Sequence, residues 1–88
     1  MMTIELARSF KKAYKKRIQN NSKLDSQTFK RIELFKSNPK HPILRDHALT
    51  GTMFGLRAFS VTGDIRVIYS IDNDTAYFID IGTHNQIY

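Results

Sequence analysis

The sequence predicts an α+β fold in the order β-α-α-β-β-β: a short strand and a helical hairpin packed on an antiparallel sheet. Two observations carry that expectation. Apolar residues recur at helical spacing in the first half of the chain and at alternate positions after Gly55. Tight-turn residues separate the alternating runs, which closes neighbouring runs as hairpins.

Thr3-Ile4-Glu5-Leu6 alternates and is short enough for a first strand. From Ala7 to Asn20, Phe10, Tyr14 and Ile18 fall on one helical face, with Lys11, Lys12, Lys15, Lys16 and Arg17 on the other sides. Asn20-Asn21-Ser22 ends that helix. Ser22-Lys23-Leu24-Asp25 has the form of a capping box that starts the next one. The second helix carries Leu24, Thr28, Ile32 and Phe35 on one stripe, with Phe29 beside it, and Asn38-Pro39 stops it.

Residues 38–54 form a long connection with Pro39 and Pro42 inside it and glycines near its end, a pattern typical of functional or mobile segments. The period then becomes two. Leu56 to Val61 is a strand, Thr62-Gly63-Asp64 a turn, and Ile65 to Ile71 a second strand with Ile65, Val67, Tyr69 and Ile71 on one face. Asp72-Asn73-Asp74 turns the chain again. Thr75 to Ile81 is a third strand, with Tyr77, Ile79 and Ile81 expected on one face, and the tail Gly82 to Tyr88 follows.

The 88 residues are expected to form one domain, 1–88, with a single modest core. Absence of cysteine excludes disulfides, thiolate zinc sites and Cys nucleophiles. No GxGxxG, P-loop or GxSxG occurs, which removes nucleotide-fold and α/β-hydrolase chemistry. No apolar run is long enough to span a bilayer, and Met1 to Lys16 lacks the apolar stretch of a signal peptide. A cytoplasmic location is therefore expected, with no membrane partner.

Charge is the sharpest compositional signal. Residues 1–45 hold twelve basic and three acidic side chains, a net +9; residues 46–88 hold two basic and five acidic, a net −3. A basic half of this size points to a polyanion, most often nucleic acid.

The second half also carries an ordered set of segments: Arg45-Asp46-His47-Ala48-Leu49-Thr50-Gly51, Gly55-Leu56-Arg57, Asp64-Ile65-Arg66-Val67-Ile68-Tyr69, and Gly82-Thr83-His84-Asn85-Gln86-Ile87-Tyr88. Together they resemble the RelE/YafQ superfamily of bacterial toxin components, the YafQ branch most closely. The element order extends the resemblance over essentially the whole chain. It implies a RelE/ParE-like fold and the toxin of a type II toxin-antitoxin system: an mRNA endoribonuclease acting on the 70S ribosome and held in check by a cognate antitoxin.

The resemblance also implies roles for particular residues. His84 matches the histidine of the closing motif, taken as the general acid. His47 ends the long loop and is implied as general base or phosphate contact. Asp64 matches an acidic turn residue able to accept a proton or orient a histidine. Arg66 corresponds to a basic residue set against phosphate, and Arg57, the other arginine of the acidic half, fits the same use. Tyr88 matches a terminal aromatic able to stack on a base. These types suit the chemistry, because imidazole titrates near neutrality and guanidinium binds phosphate oxygens as a fork.

The branch usually has histidine where Ser60 stands here and tryptophan where Ile65 stands. Ser60 can hydrogen-bond phosphate but cannot act as acid or base near neutral pH. Lys12 and Lys16 on the first helix are candidates for contact with ribosomal RNA phosphates. No cofactor is expected. His47, Asp64 and His84 lack metal-motif spacing, so no metal is expected either. Two other readings stay open at this point: a ParE-like toxin that poisons gyrase, and a binding module for RNA or antitoxin with weak catalysis.

Overall fold

In the computed structural model, which describes residues 2–88, the two periods become two layers. β1 is Thr3–Leu6, α1 Arg8–Arg17, α2 Ser22–Ser37, β2 His47–Ala48, β3 Arg57–Ser60, β4 Arg66–Asp72, β5 Thr75–Gly82 and α3 His84–Ile87. The strands form one five-stranded sheet in the order β1-β5-β4-β3-β2. β2–β3, β3–β4 and β4–β5 are antiparallel, but β1 lies parallel to β5, Thr3 opposite Thr75 and Leu6 opposite Phe78. The sheet is therefore mixed rather than purely antiparallel. The reason is that α1 and α2 intervene between β1 and the hairpins, which gives the chain room for a crossover.

α1 stops at Arg17, earlier than Asn20, and Ile18 caps it with its N–H on the Tyr14 carbonyl. Phe10 and Ile18 are buried as their spacing requires, with Tyr14 half-buried between them. α2 begins differently from the expected capping box. Asn21 is the cap, its side chain accepting from the Lys23 and Leu24 N–H groups, and Ser22 is already helical. Thr28 and Phe35 form the buried stripe of α2, whereas Phe29 lies 65% exposed.

The core is the sheet face under these helices. Phe35 stacks on Phe59 at 4.5 Å between ring centroids and meets Tyr69 edge-on at 4.9 Å. Phe10 and Phe78 close the same cluster at 5.4 Å. Aromatic pairs at these separations add about 0.5–1.5 kcal/mol each beyond the area they bury.

The expected face of β5 is corrected. Ala76, Phe78 and Ile81 are buried, whereas Tyr77 is 42% exposed. The ladder explains the change. Ile68 pairs with Asp80 but Tyr69 pairs with Phe78, so Ile79 is an extra residue that flips the alternation. On β4, Val67 and Tyr69 are buried beside the preceding Ile65, but Ile71 runs out of the core at 45% exposure.

The connection 38–54 is more ordered than its prolines suggest. It contains 3₁₀ turns at Pro42–Leu44 and Gly51–Met53 and the two-residue β2 on the sheet edge. Leu44 is fully buried, which ties the loop to the main core.

Candidate active site

Side chains on a strand alternate between faces. Phe59, Val67 and Tyr69 point to the helices, so Ala58, Ser60, Arg66 and Ile68 point the other way. His47 is opposite Ala58 and Ser60 is opposite Arg66, so both pairs share that second face. β5 reaches Gly82 opposite Arg66, and there the chain turns into α3.

α3 is one turn held by a complete capping box. Thr83 Oγ1 accepts from the Gln86 N–H at 3.3 Å, and Gln86 Oε1 accepts from the Thr83 N–H at 2.7 Å. Ile87 then packs on a small second core of Leu49, Ala58 and Ile68, joined by Met53 and Leu56. A short terminal helix is thereby fixed to the face that carries His47 and Arg66.

That arrangement sets His84. Arg66 Nη1 lies 3.4 Å from His84 Nδ1, and the His84 and Tyr88 rings are 4.5 Å apart between centroids. Guanidinium can only donate, so His84 Nδ1 is the acceptor, and a neutral ring carries its hydrogen on Nε2. His47 has the opposite arrangement. Its Nδ1 is 2.9 Å from the Arg45 carbonyl, which can only accept, so the hydrogen is on Nδ1 and Nε2 is the lone-pair nitrogen. Both histidines are exposed. One face of the sheet thus presents a lone-pair Nε2 on His47, an Nε2–H on a neutral His84, and an arginine beside the second.

The other expected residues divide. Tyr88, 49% exposed, belongs to the cluster through His84. Ser60 lies at the same end of the sheet but is 9% exposed, and its carbonyl accepts from Arg31 at 3.3 Å. Asp64 is exposed in the β3–β4 turn. Its N–H donates to Thr62 Oγ1, and its carboxylate has no hydrogen-bond or ion-pair partner among the described residues. Lys12 and Lys16 line a groove between α1 and β5 with Lys15, Arg17 and Asp80. Arg17 links that groove to the tail, with Nη1 3.1 Å from Asp80 Oδ1 and 3.0 Å from the Ile81 carbonyl. The described residues contain no group of three His, Asp or Glu side chains placed to share a metal ion.

Arg57 is not in the cluster. It lies opposite Tyr69 and shares the helix-facing side of the sheet. Its Nε and Nη2 both meet Asp46 Oδ1, at 2.8 and 2.7 Å, while the Tyr69 hydroxyl donates to Asp46 Oδ2. The hydrogen bond to Asp46 is the main influence that raises the guanidinium pKa further, so it stays charged and committed. Burial first, and then the bond to Asp46, push the Tyr69 hydroxyl above the ordinary tyrosine range. Asp46 was not singled out by the sequence, although it directly precedes His47; its role depends on a partner eleven residues away.

The architecture is a helical hairpin on a mixed sheet whose open face carries His47, Arg66 and, through α3, His84, an arrangement shared with a class of small bacterial toxins. The chain belongs to the YafQ family, bacterial toxins of type II toxin-antitoxin systems, which it matches over residues 2–88. A copper-bound mutant toxin from Helicobacter pylori is similar at 26% identity and TM-score 0.82, with both chains covered completely. YafQ in the DinJ-YafQ toxin-antitoxin complex of E. coli is 25% identical at TM-score 0.82, covering 99% of this chain and 97% of that one. YafQ from E. coli strain BL21(DE3) shares the fold at TM-score 0.84 and 24% identity, over 100% of this chain and 99% of that one. No curated protein sequence matches the chain.

Proposed function

We propose that this toxin is an endoribonuclease that cuts mRNA on the translating 70S ribosome, in the cytoplasm, by acid–base attack of the ribose 2′-OH. The observation that carries the reading is the pair of oppositely arranged histidines on one sheet face, with Arg66 beside His84. His47 Nε2 takes the proton from the 2′-OH, and the 2′-oxygen attacks the adjacent phosphorus. The bond from phosphorus to the 5′-oxygen breaks, and His84 supplies the proton that oxygen needs. The products are a 2′,3′-cyclic phosphate and a 5′-hydroxyl. General acid–base steps of this kind contribute about 10²–10⁴-fold each.

Arg66 binds the phosphate and stabilises charge on its oxygens. As its guanidinium moves to the phosphate it leaves His84 Nδ1, so the ring can take a second proton and act as an imidazolium acid. Asp64 supports the proton transfers from the β3–β4 turn. Tyr88 stacks on a base, Ser60 contacts the backbone at the Arg66 end, and Lys12 and Lys16 bind RNA phosphates. Arg57 serves as a positioning residue through Asp46 rather than as a phosphate ligand. No cofactor enters the scheme. A cognate antitoxin is the protein partner, as DinJ is in the E. coli complex.

The test is induced expression with mapping of mRNA 5′ ends by primer extension. Wild type is expected to arrest growth and create new ends inside coding regions, and His84→Ala to do neither while remaining folded. Growth arrest by wild type with a DNA-damage response and no new mRNA ends would overturn the reading in favour of a gyrase poison. Arrest by His84→Ala equal to wild type would overturn the mechanism.

A further inference from the structure

The connection between β2 and β3 carries a largely exposed aromatic ring. Phe54 is 83% exposed, the most exposed large hydrophobic side chain among the described residues. Yet its backbone is well fixed. Phe54 N–H donates to the Gly51 carbonyl at 3.1 Å, Leu56 N–H to the Met53 carbonyl at 3.0 Å, and Leu49 N–H to the Leu56 carbonyl at 2.9 Å. Gly51 and Gly55 flank Phe54 in sequence at φ +66° and +94°, a backbone conformation that glycine adopts without strain, which sets the path of the loop.

The loop is also fastened to the proposed site. Met53 packs on the Leu49–Ala58–Ile68 patch, and so does Ile87 of α3. Each anchor is followed immediately by an exposed aromatic ring, Phe54 after Met53 and Tyr88 after Ile87. The Tyr88 ring in turn lies against His84, which lies against Arg66. We infer that Phe54 is a second stacking platform for a base of single-stranded RNA, carried by a loop that packs on the same apolar patch as the anchor of Tyr88.

The inference rests on the nuclease reading and adds a substrate-positioning residue to it. Two features favour RNA over a protein partner. A protein contact usually has a contiguous apolar centre. Phe54 instead stands among Thr50, Gly51, Thr52 and Gly55, which are exposed and small or polar. The face on which its loop packs carries the cationic side chain of Arg66 and the two histidines, which suits phosphates between stacked bases. A rigid ring also costs little entropy to engage, as base stacking requires.

The probe is a fluorescein-labelled 2′-O-methyl oligoribonucleotide, which lacks the attacking hydroxyl and cannot be cut. Binding is read by anisotropy with the full chain. Phe54→Ala and Phe54→Leu are expected to weaken binding by about 5- to 150-fold, and Phe54→Tyr to bind like wild type. Thermal unfolding of all three is expected to match wild type, because the ring is largely exposed. Equal affinity for wild type and Phe54→Ala overturns the platform and assigns the ring elsewhere, to a protein contact. Full affinity for Phe54→Leu overturns stacking as the cause. If wild type cuts mRNA on ribosomes in either of those cases, the nuclease reading stands without the platform. A wild-type protein that neither binds the probe nor cuts mRNA overturns both.

Discussion

Asp46 receives both Arg57, on its Oδ1, and the Tyr69 hydroxyl, on its Oδ2, from the side of the sheet opposite to His47. A loop residue is thereby clipped to two central strands, and its neighbour in sequence is the histidine proposed as base. The contact fixes where the loop meets the sheet and therefore where His47 stands.

Asp46→Ala is expected to lower stability and catalysis together. The Asp46 side chain is 12% exposed, so its loss strands the Tyr69 hydroxyl and frees Arg57. Leaving such groups unpaired costs about 1–3 kcal/mol. The Arg57 side chain is 38% exposed and water replaces part of its partner, which favours the lower end. For a domain of this size each kcal/mol moves Tm by about 4–8 °C. Cleavage by the folded variant is expected to fall in kcat more than in KM, because His47 loses position rather than the RNA its contacts. A variant with wild-type Tm and kcat would show that the clip does not position His47.

Tyr69 gives a pH dependence with a definite sign. Its folded pKa is raised above the ordinary 10.0, chiefly by burial and then by the bond to Asp46. The fold therefore favours the protonated phenol. Its contribution is complete below pH 10.0 and is lost as pH rises above that value toward the higher folded one. One such group changes stability by at most about 1.4 kcal/mol per pH unit. Denaturant unfolding between pH 8 and 11, compared with Tyr69→Phe, isolates it from the lysines. The wild-type curve is expected to fall more steeply than that of Tyr69→Phe; parallel curves would contradict the assignment.

Gly82→Ala is expected to damage the site while sparing the core. A Cβ there would come within 2.7 Å of Gln86 Oε1 and 2.8 Å of Arg17 Nη1. Both are ends of flexible side chains and can move, but moving Gln86 opens the capping box that holds α3. His84 is the first residue of that turn. A misplacement of about 1 Å can cost on the order of 10²-fold in rate. The expected result is a near-normal Tm with cleavage reduced about 10-fold or more, read against a synthetic mRNA on ribosomes.

Much of this fold is legible in the chain because periodicity reports burial. Phe10 and Ile18, Thr28 and Phe35, and Val67 and Tyr69 are all buried where their spacing puts them. The misreadings have local physical causes. One extra residue at Ile79 reverses the face of half a strand, and period counting has no means of placing a bulge. β2 is only two residues long, too short to show a pattern. Asn21, rather than Ser22, caps α2, because both are good caps and the choice depends on the turn preceding them. The motif histidines and Arg66 fall on one face, but where Arg57 goes depends on Asp46, eleven residues away. A lone arginine in an acidic half is as readily a bound counter-ion as a free one.

The parallel pairing of β1 with β5 has a kinetic meaning. Among the described residues, Thr3 to Leu6 pair in the sheet with Thr75 to Phe78 alone, about seventy positions further along the chain. Loops of that length close late in folding, once local hairpins exist to receive them. A polypeptide halted before Thr75 leaves its opening strand unsatisfied and also lacks His84. An unfinished copy of the chain therefore has neither a closed sheet nor its proposed acid.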